Sequence, residues 1–363
     1  MRAGFSGRGV QKDRFRRYNP FMPLTLTAGR DDADRRLDRV LRKALPDLPL
    51  SALHRLLRMK GVLVDGKAAG GGDRVAEGAV IRIRDLSESV RDGRRAGKEG
   101  GVRETCGARG GRHGGALDIL FEGAGLLVVN KPAGLAVHGP GAARGSSPCL
   151  DGMVREYLAG KLPPSLSFRP GPLHRLDRPT SGIIVFSSDL SGARFFSAML
   201  REGRVKKQYL AVADGIIEKA GTWEDELFRD TSLRKTLKTA GDAAGMNGGK
   251  ALTMVRPLAS DAGGHTLILV ETVTGRTHQI RAQAAVRGHP LSGDGKYGGS
   301  PQKGGFLLHA WKIGIPRADG KDPIRLTAPL PPRFTQRIAG LFPGRNFESA
   351  ETPRSNGLFG MAD

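Results

Sequence analysis

Between Arg91 and Gly115 the chain holds nine glycines, seven lysines or arginines and three acids, with almost nothing apolar. Such a stretch cannot bury enough surface to offset the entropy of ordering it, so residues 89–115 read as a flexible linker. One hydrophobic core must therefore form before it and another after it. Its Arg-Gly character fits either a weak grip on RNA or a plain tether.

Residues 24–88 carry the first core. Leu37, Val40, Leu41, Ala44 and Leu45 recur at helical spacing, with Arg35, Arg36, Arg39, Arg42 and Lys43 between them. Pro46 and Pro49 end that pattern. Ser51 is the expected N-cap of a second helix bearing Leu53, Leu56, Leu57 and Met59 together with Arg55, Arg58 and Lys60. A strand at Val62–Val64, an Asp65-Gly66 turn and a strand at Val80–Arg84 complete a small α/β unit. Residues 1–23 read as a disordered basic arm without a secretory apolar region.

The formal charge of +22 points to a polyanionic partner, nucleic acid first. No apolar stretch is long enough to span a membrane. The only cysteines, Cys106 and Cys149, lack metal-ligand spacing; this predicts no structural metal and a reducing, cytoplasmic setting.

Residues 116–344 carry the larger core. Short β-rich runs recur at Leu126–Asn130, Gly182–Phe186, Tyr209–Ala213, His265–Thr272 and Phe306–Leu308. Helical patterns cover Ser191–Arg201 and Thr277–Arg287. Mixed strands with occasional helices predict an α+β fold with a mainly antiparallel sheet. The Lys- and Gly-rich segment 231–249 reads as a loop, and 345–363 as a disordered tail.

The chemistry centres on Pro172-Leu-His-Arg-Leu-Asp-Arg-Pro-Thr-Ser-Gly182. Asp177 stands between two arginines, on a loop feeding the apolar strand Ile183–Phe186. Flanking guanidinium groups favour an ionised carboxylate, suited to work as nucleophile or base. In isolation an R-x-D-R run would be read as a surface ion pair. No phosphate-cradling glycine loop and no Cys-His cluster accompanies it, so no cofactor is expected.

His174-Arg-Leu-Asp-x-x-Thr-Ser-Gly182 resembles the signature loop of the RluA-type pseudouridine synthases. Thr274-Gly-Arg-Thr-His-Gln-Ile-Arg281 resembles a second motif of that family. Val128-Val-Asn-Lys-Pro-Ala-Gly134, Lys207-Gln-Tyr-Leu-Ala211 and Leu307-Leu-His-Ala310 match in order, so the resemblance runs from about Leu117 to Phe334. Residues 24–88 resemble an S4 RNA-binding domain, with Arg36, Arg39, Arg55 and Arg58 as RNA-contact candidates. The resemblance implies a pseudouridine synthase fold with a cleft across a mixed sheet.

It further implies that Asp177 is the catalytic aspartate, paired by Arg276, with Tyr209 stacking on the target uracil. Arg175 would enter the RNA where that base has left. Lys131, His174 and Arg281 would position the RNA or the loops, His174 as an orienter rather than a general base. Ile183 and Ile280 would wall the pocket. Asp177 could attack C1′, remove the C2′ proton, or attack C6; the sequence leaves these open.

Ala136-Val-His-Gly139 resembles members acting on large-subunit ribosomal RNA. The expected partner is structured RNA, 23S-type ribosomal RNA or a ribosomal precursor particle, met by a monomer. Transfer RNA is the alternative substrate. A non-catalytic ribosome-assembly factor is the alternative class.

Overall fold

The computed structural model describes residues 23–84, 116–139, 148–230, 235–238 and 248–344. The basic arm, the linker and the tail lie outside the described residues. The chain forms two compact units, and the described part of the first joins residues 23–84 to Gly160–Arg169.

In the N-terminal unit, β1 (Leu24–Thr27), β6 (Val80–Ile83), β3 (Val62–Val64) and β4 (Lys67–Ala68) form one sheet in that order. A two-residue strand, β2 (Arg35–Arg36), pairs with β5 (Arg74–Val75). Helices α1 (Leu37–Ala44) and α2 (Leu50–Arg58) bury the leucines that their spacing predicts: Leu37, Val40, Leu41, Leu53 and Leu56 are at most 5% exposed. α2 starts one residue before Ser51, so Pro49 rather than Ser51 holds the N-cap position. Asp32 is fully buried and takes hydrogen bonds from Gly29 N, Leu166 N and the Ser165 hydroxyl at 2.8–2.9 Å. Ser167 adds its backbone N–H at 2.8 Å and its hydroxyl. This carboxylate is the reason that residues 160–169, placed by sequence in the larger domain, belong to the first unit.

The second unit is built on one eleven-stranded sheet. Its strands are β7 (Ile119–Gly123), β8 (Leu126–Lys131), β9 (Gly171–Pro172), β10 (Ser181–Ser187), β11 (Lys206–Asp214), β12 (Gly221–Asp230), β13 (Lys235–Lys238), β14 (Gly248–Ser260), β15 (His265–Thr272), β16 (Leu308–Ile315) and β17 (Ile324–Thr327). The path runs β13-β12-β14-β15-β11-β16-β10-β8-β7, with β17 on β16 and β9 on β10. All its pairs are antiparallel except β10 with β16. Helices α3 (Leu150–Leu158), α4 (Leu190–Arg201), α5 (Gln279–Val286) and α6 (Pro332–Leu341) complete an α+β unit.

Two departures from the sequence reading matter. The expected loop 231–249 contains β13 and the start of β14. The strand expected at Phe306–Leu308 begins at Leu308 and runs to Ile315.

β10 is buried along its whole length. It can approach β16 because Gly182 sits at φ +104°, where a Cβ would lie 2.2 Å from the Ala310 carbonyl oxygen. Ser181 then meets His309 Nδ1 at 2.9 Å. The loop carrying Asp177 enters the sheet at this parallel seam, in its middle.

Candidate active site

The loop 177–180 closes on itself through Thr180 N donating to Asp177 O at 3.1 Å. It is stitched to the turn after β8. Gly134 N donates to Arg178 O, and Arg178 Nε donates to Gly134 O, each at 2.8 Å. Lys131 completes the seam: its Nζ donates to the Pro132, Leu135 and Arg178 carbonyls at 2.9–3.1 Å. That uses all three ammonium protons. Lys131 is fully buried, and burial lowers its pKa to about 8 against the opposing pull of Asp177. The expectation that Lys131 contacts RNA is therefore corrected: it anchors the Asp177 loop.

His174 has a similar task. Its Nε2 accepts from Val185 N at 3.0 Å and its ring stacks near Phe196. Burial, helped by the Lys207 charge, lowers its pKa to about 3, so the ring is neutral. It is tied to β10 and also lines the pocket.

Asp177, 17% exposed at its side chain, faces a pocket of about 550 Å³. Arg281 Nη1 donates to its Oδ2 at 2.8 Å. Arg281 in turn forks onto Asp294, with Nε to Oδ2 at 2.7 Å and Nη2 to Oδ1 at 2.8 Å. Tyr297 and Phe306 flank the guanidinium at 4.9 and 4.3 Å. Burial works against the Arg281 charge, but the bonds to Asp294 and Asp177 outweigh it and raise the pKa. A planar fork is the group that can bind one carboxylate bidentately and still reach a second.

The expected pairing of Arg276 with Asp177 is thus corrected. Arg276 precedes α5, is exposed, and donates its Nε to Lys250 O at 3.1 Å. Arg281 lies in the first turn of α5, whose entry is fixed by Gln279. That side chain accepts from Arg276 N and Thr274 Oγ1 and donates to Leu252 O and Thr253 Oγ1. His278, in the left-handed region at φ 55°, closes the turn. Its Nδ1 lies 2.9 Å from Tyr297 Oη and its Nε2 3.7 Å from Asp177 Oδ1. Burial dominates the lowering of its pKa, with Arg281 adding to burial and Asp177 opposing it.

Tyr209 on β11 and Arg175 before Asp177 both line the pocket, as does Ile280. Tyr209 is 9% exposed; burial pushes its pKa up to about 12, so the phenol keeps its proton. Its hydroxyl shares a hydrogen bond with Thr272. Arg175 is exposed and has no side-chain partner among the described residues. Ile183 is not on the pocket wall but in the core with Phe196 and Ile313. Asp294, Tyr297 and Lys207 were not anticipated. The sole signal for Asp294 was one acid among the glycines of Ser292-Gly-Asp-Gly-Lys-Tyr297.

In the N-terminal unit Arg36 forks onto Asp38 at 2.8 and 3.2 Å. Arg39 and Arg58 are exposed and Arg55 is half-buried.

The pocket is large enough for a nucleoside and sets a carboxylate and an aromatic side chain beside exposed arginines. Comparison with known proteins gives the family. Residues 125–286 match the model of the family described as RNA pseudouridylate synthase. "Ribosomal large subunit pseudouridine synthase D" of Neisseria meningitidis serogroup A is 33% identical over 85% of this chain and 78% of its own. "Ribosomal large subunit pseudouridine synthase C" of Vibrio vulnificus is 29% identical over 86% of this chain and 94% of its own. The solved "Human RNA Pseudouridylate Synthase Domain Containing 1" is 26% identical, with TM-score 0.48 over 60% of this chain and 86% of that one. The chain belongs to the RNA pseudouridylate synthase family: it is an enzyme that isomerises uridine to pseudouridine in RNA.

Among the described residues no helix is long and apolar enough to cross a membrane.

Proposed function

We propose that the protein isomerises specific uridines of large-subunit, 23S-type ribosomal RNA, free or in a precursor particle, and that Asp177 is the group that acts on the flipped-out nucleoside. One observation carries the assignment of Asp177. It is the pocket carboxylate held by Arg281, which Asp294 and two aromatic rings hold in turn. A pre-oriented carboxylate needs no reorganisation when the ribose reacts. Tyr209 supplies a ring for the displaced base, and Arg175 a free guanidinium to fill the gap it leaves. Arg276, exposed beside Lys250, suits a phosphate. The names of the relatives support ribosomal RNA over transfer RNA.

The N-terminal unit serves in this reading as an S4-like RNA-binding domain, with Arg39, Arg55 and Arg58 on its helices and Arg36 beside them. The protein works as a monomer in the cytoplasm. Cys149, the one described cysteine, is a buried free thiol that suits a reducing compartment. The test is hydrogen release from uracil C5, which must lose its hydrogen on becoming the glycosidic carbon. Ribosomal RNA, ribosomal particles and transfer RNA, each tritiated at C5, are offered separately. Release from ribosomal RNA or particles supports the reading, and release from transfer RNA alone overturns the substrate.

A further inference from the structure

Lys207 and Lys131 are both buried lysines of the second unit, at 8% and 0% exposure, and they are treated differently by the fold. Lys131 has three carbonyl partners. Lys207 Nζ has no hydrogen-bond or ion-pair partner among the described residues. Lys207 lies on β11, in the middle of the sheet between β15 and β16. Side chains alternate along a strand, so Lys207 and Tyr209 share one face. The neighbours on the other face are satisfied: Lys206 lies 3.7 Å from Glu271, and Gln208 donates to Glu271 at 3.2 Å. Lys207 lines the pocket with Tyr209 and Asp177, and its Nζ is 3.9 Å from the place a Cβ of Gly275 would occupy.

The Lys207 side chain is mostly buried but its ammonium opens onto the pocket without a protein partner among the described residues, and burial lowers its pKa to about 8. No carboxylate is paired with this ammonium among the described residues. The unused donors point to something that enters the pocket carrying negative charge.

We propose that Lys207 is a catalytic residue: its ammonium donates to a carbonyl oxygen of the flipped uracil and stabilises the negative charge on the base when the bond to ribose breaks. The proposal rests on the function proposed above. As the C1′–N1 bond breaks, its electron pair goes to the base and spreads over N1 and the two carbonyl oxygens. The pair returns in the new C1′–C5 bond, after which C5 loses its proton and N1 gains one. Lys207 keeps its own protons throughout. Phosphates are the other anions of RNA, but they stay at the mouth, where Arg175 and Arg276 are exposed. A nearly buried side chain on a central strand meets the base instead.

The test is Lys207→Met, with Lys207→Gln as a second neutral variant should Met disturb the wall. Tm should hold, because the ammonium has no protein partner among the described residues to lose and its mostly buried stem is kept by Met. RNA affinity should be unchanged, while the single-turnover rate falls by about 10²–10³-fold, as for loss of one donor to a developing oxyanion. The same pair of proteins is then compared on RNA carrying 5-fluorouridine at the target, read by nuclease digestion and chromatography of the rearranged nucleoside. Fluorine stabilises the detached base, so the penalty for losing Lys207 should shrink to roughly tenfold or less.

An equal penalty on both RNAs overturns the proposal. So does a loss confined to affinity with a flatter salt dependence, which marks a phosphate contact. A lower Tm with normal chemistry marks a structural lysine and overturns it too. Wild-type protein inactive on every RNA would defeat the parent reading as well, and is told apart by that control.

Discussion

Replacing Asp294 by Asn asks whether Arg281 must be held in place rather than merely be present. Asp294 is 1% exposed and accepts both arms of the Arg281 fork at 2.7 and 2.8 Å. Asparagine keeps the shape, but one acceptor becomes an NH₂ group facing an N–H. One charge-assisted bond is lost, which costs about 1.5–3 kcal/mol. The third Arg281 donor, at 2.8 Å from Asp177, is aimed by that fork. If the loss is expressed in the transition state, kcat falls by about 10- to 150-fold, at roughly 1.4 kcal/mol per decade. KM should hold, because a side chain this buried does not meet RNA. The assay is single-turnover tritium release, normalised to the fraction of protein that binds RNA, so partial unfolding cannot imitate the effect. A normal rate, or a loss wholly in KM, would refute the argument that Asp294 positions Arg281.

The two arginines of the second motif should separate cleanly. Arg281→Lys lacks the planar fork that grips Asp294 and still reaches Asp177 and should lose kcat by about 10²-fold or more, whereas Arg276→Lys should keep kcat and change KM and its salt slope; the opposite pattern would restore Arg276 to the carboxylate. Asp32 is depressed below its usual value: burial raises it, but the donors from Ser167, Leu166, Gly29 and Ser165 outweigh burial. A depressed acid stabilises the fold above its unfolded pKa of 3.8, and that contribution is lost as pH falls further. Asp32→Asn should therefore lower the Tm of the N-terminal unit at pH 7 and matter progressively less toward pH 3; a gap that does not change with pH would count against it. Gly182→Ala should destabilise the β10–β16 seam by at least about 1–3 kcal/mol, and a Tm equal to wild type would show that the strands can part without cost.

Some of this was legible in the chain because a simple period carried it. Leu37, Val40 and Leu41 fall on one helical face, and Ile183–Phe186 and His265–Thr272 are short apolar runs bounded by polar turns. The strand β12 hid because its inward positions include Asp225, a charge that only the fold explains: Arg287 Nη1 reaches it at 2.7 Å and Gln283 Nε2 at 2.8 Å. β14 hid behind Gly248 and Gly249, which read as loop. The loop around Asp177 was identifiable, but its supporting cast was not. Arg276 and Arg281 are equally basic, and only the start of α5 between them decides which one turns inward. Lys131 looked like an RNA contact because sequence cannot reveal three carbonyls converging on one ammonium. Asp294 matters through its distances to Arg281, which no local pattern encodes, whereas Lys207 stood in the matched run before Tyr209 but without any sign of its burial.

The central claim is that Asp177 performs the chemistry, and Asp177→Asn tests it most directly. Tritium release from C5 and equilibrium binding should be measured on the same ribosomal RNA for wild type and variant. Asn keeps the size of Asp177 and an acceptor for Arg281, so binding should survive while release falls to background. Release by the variant near the wild-type rate would contradict the account.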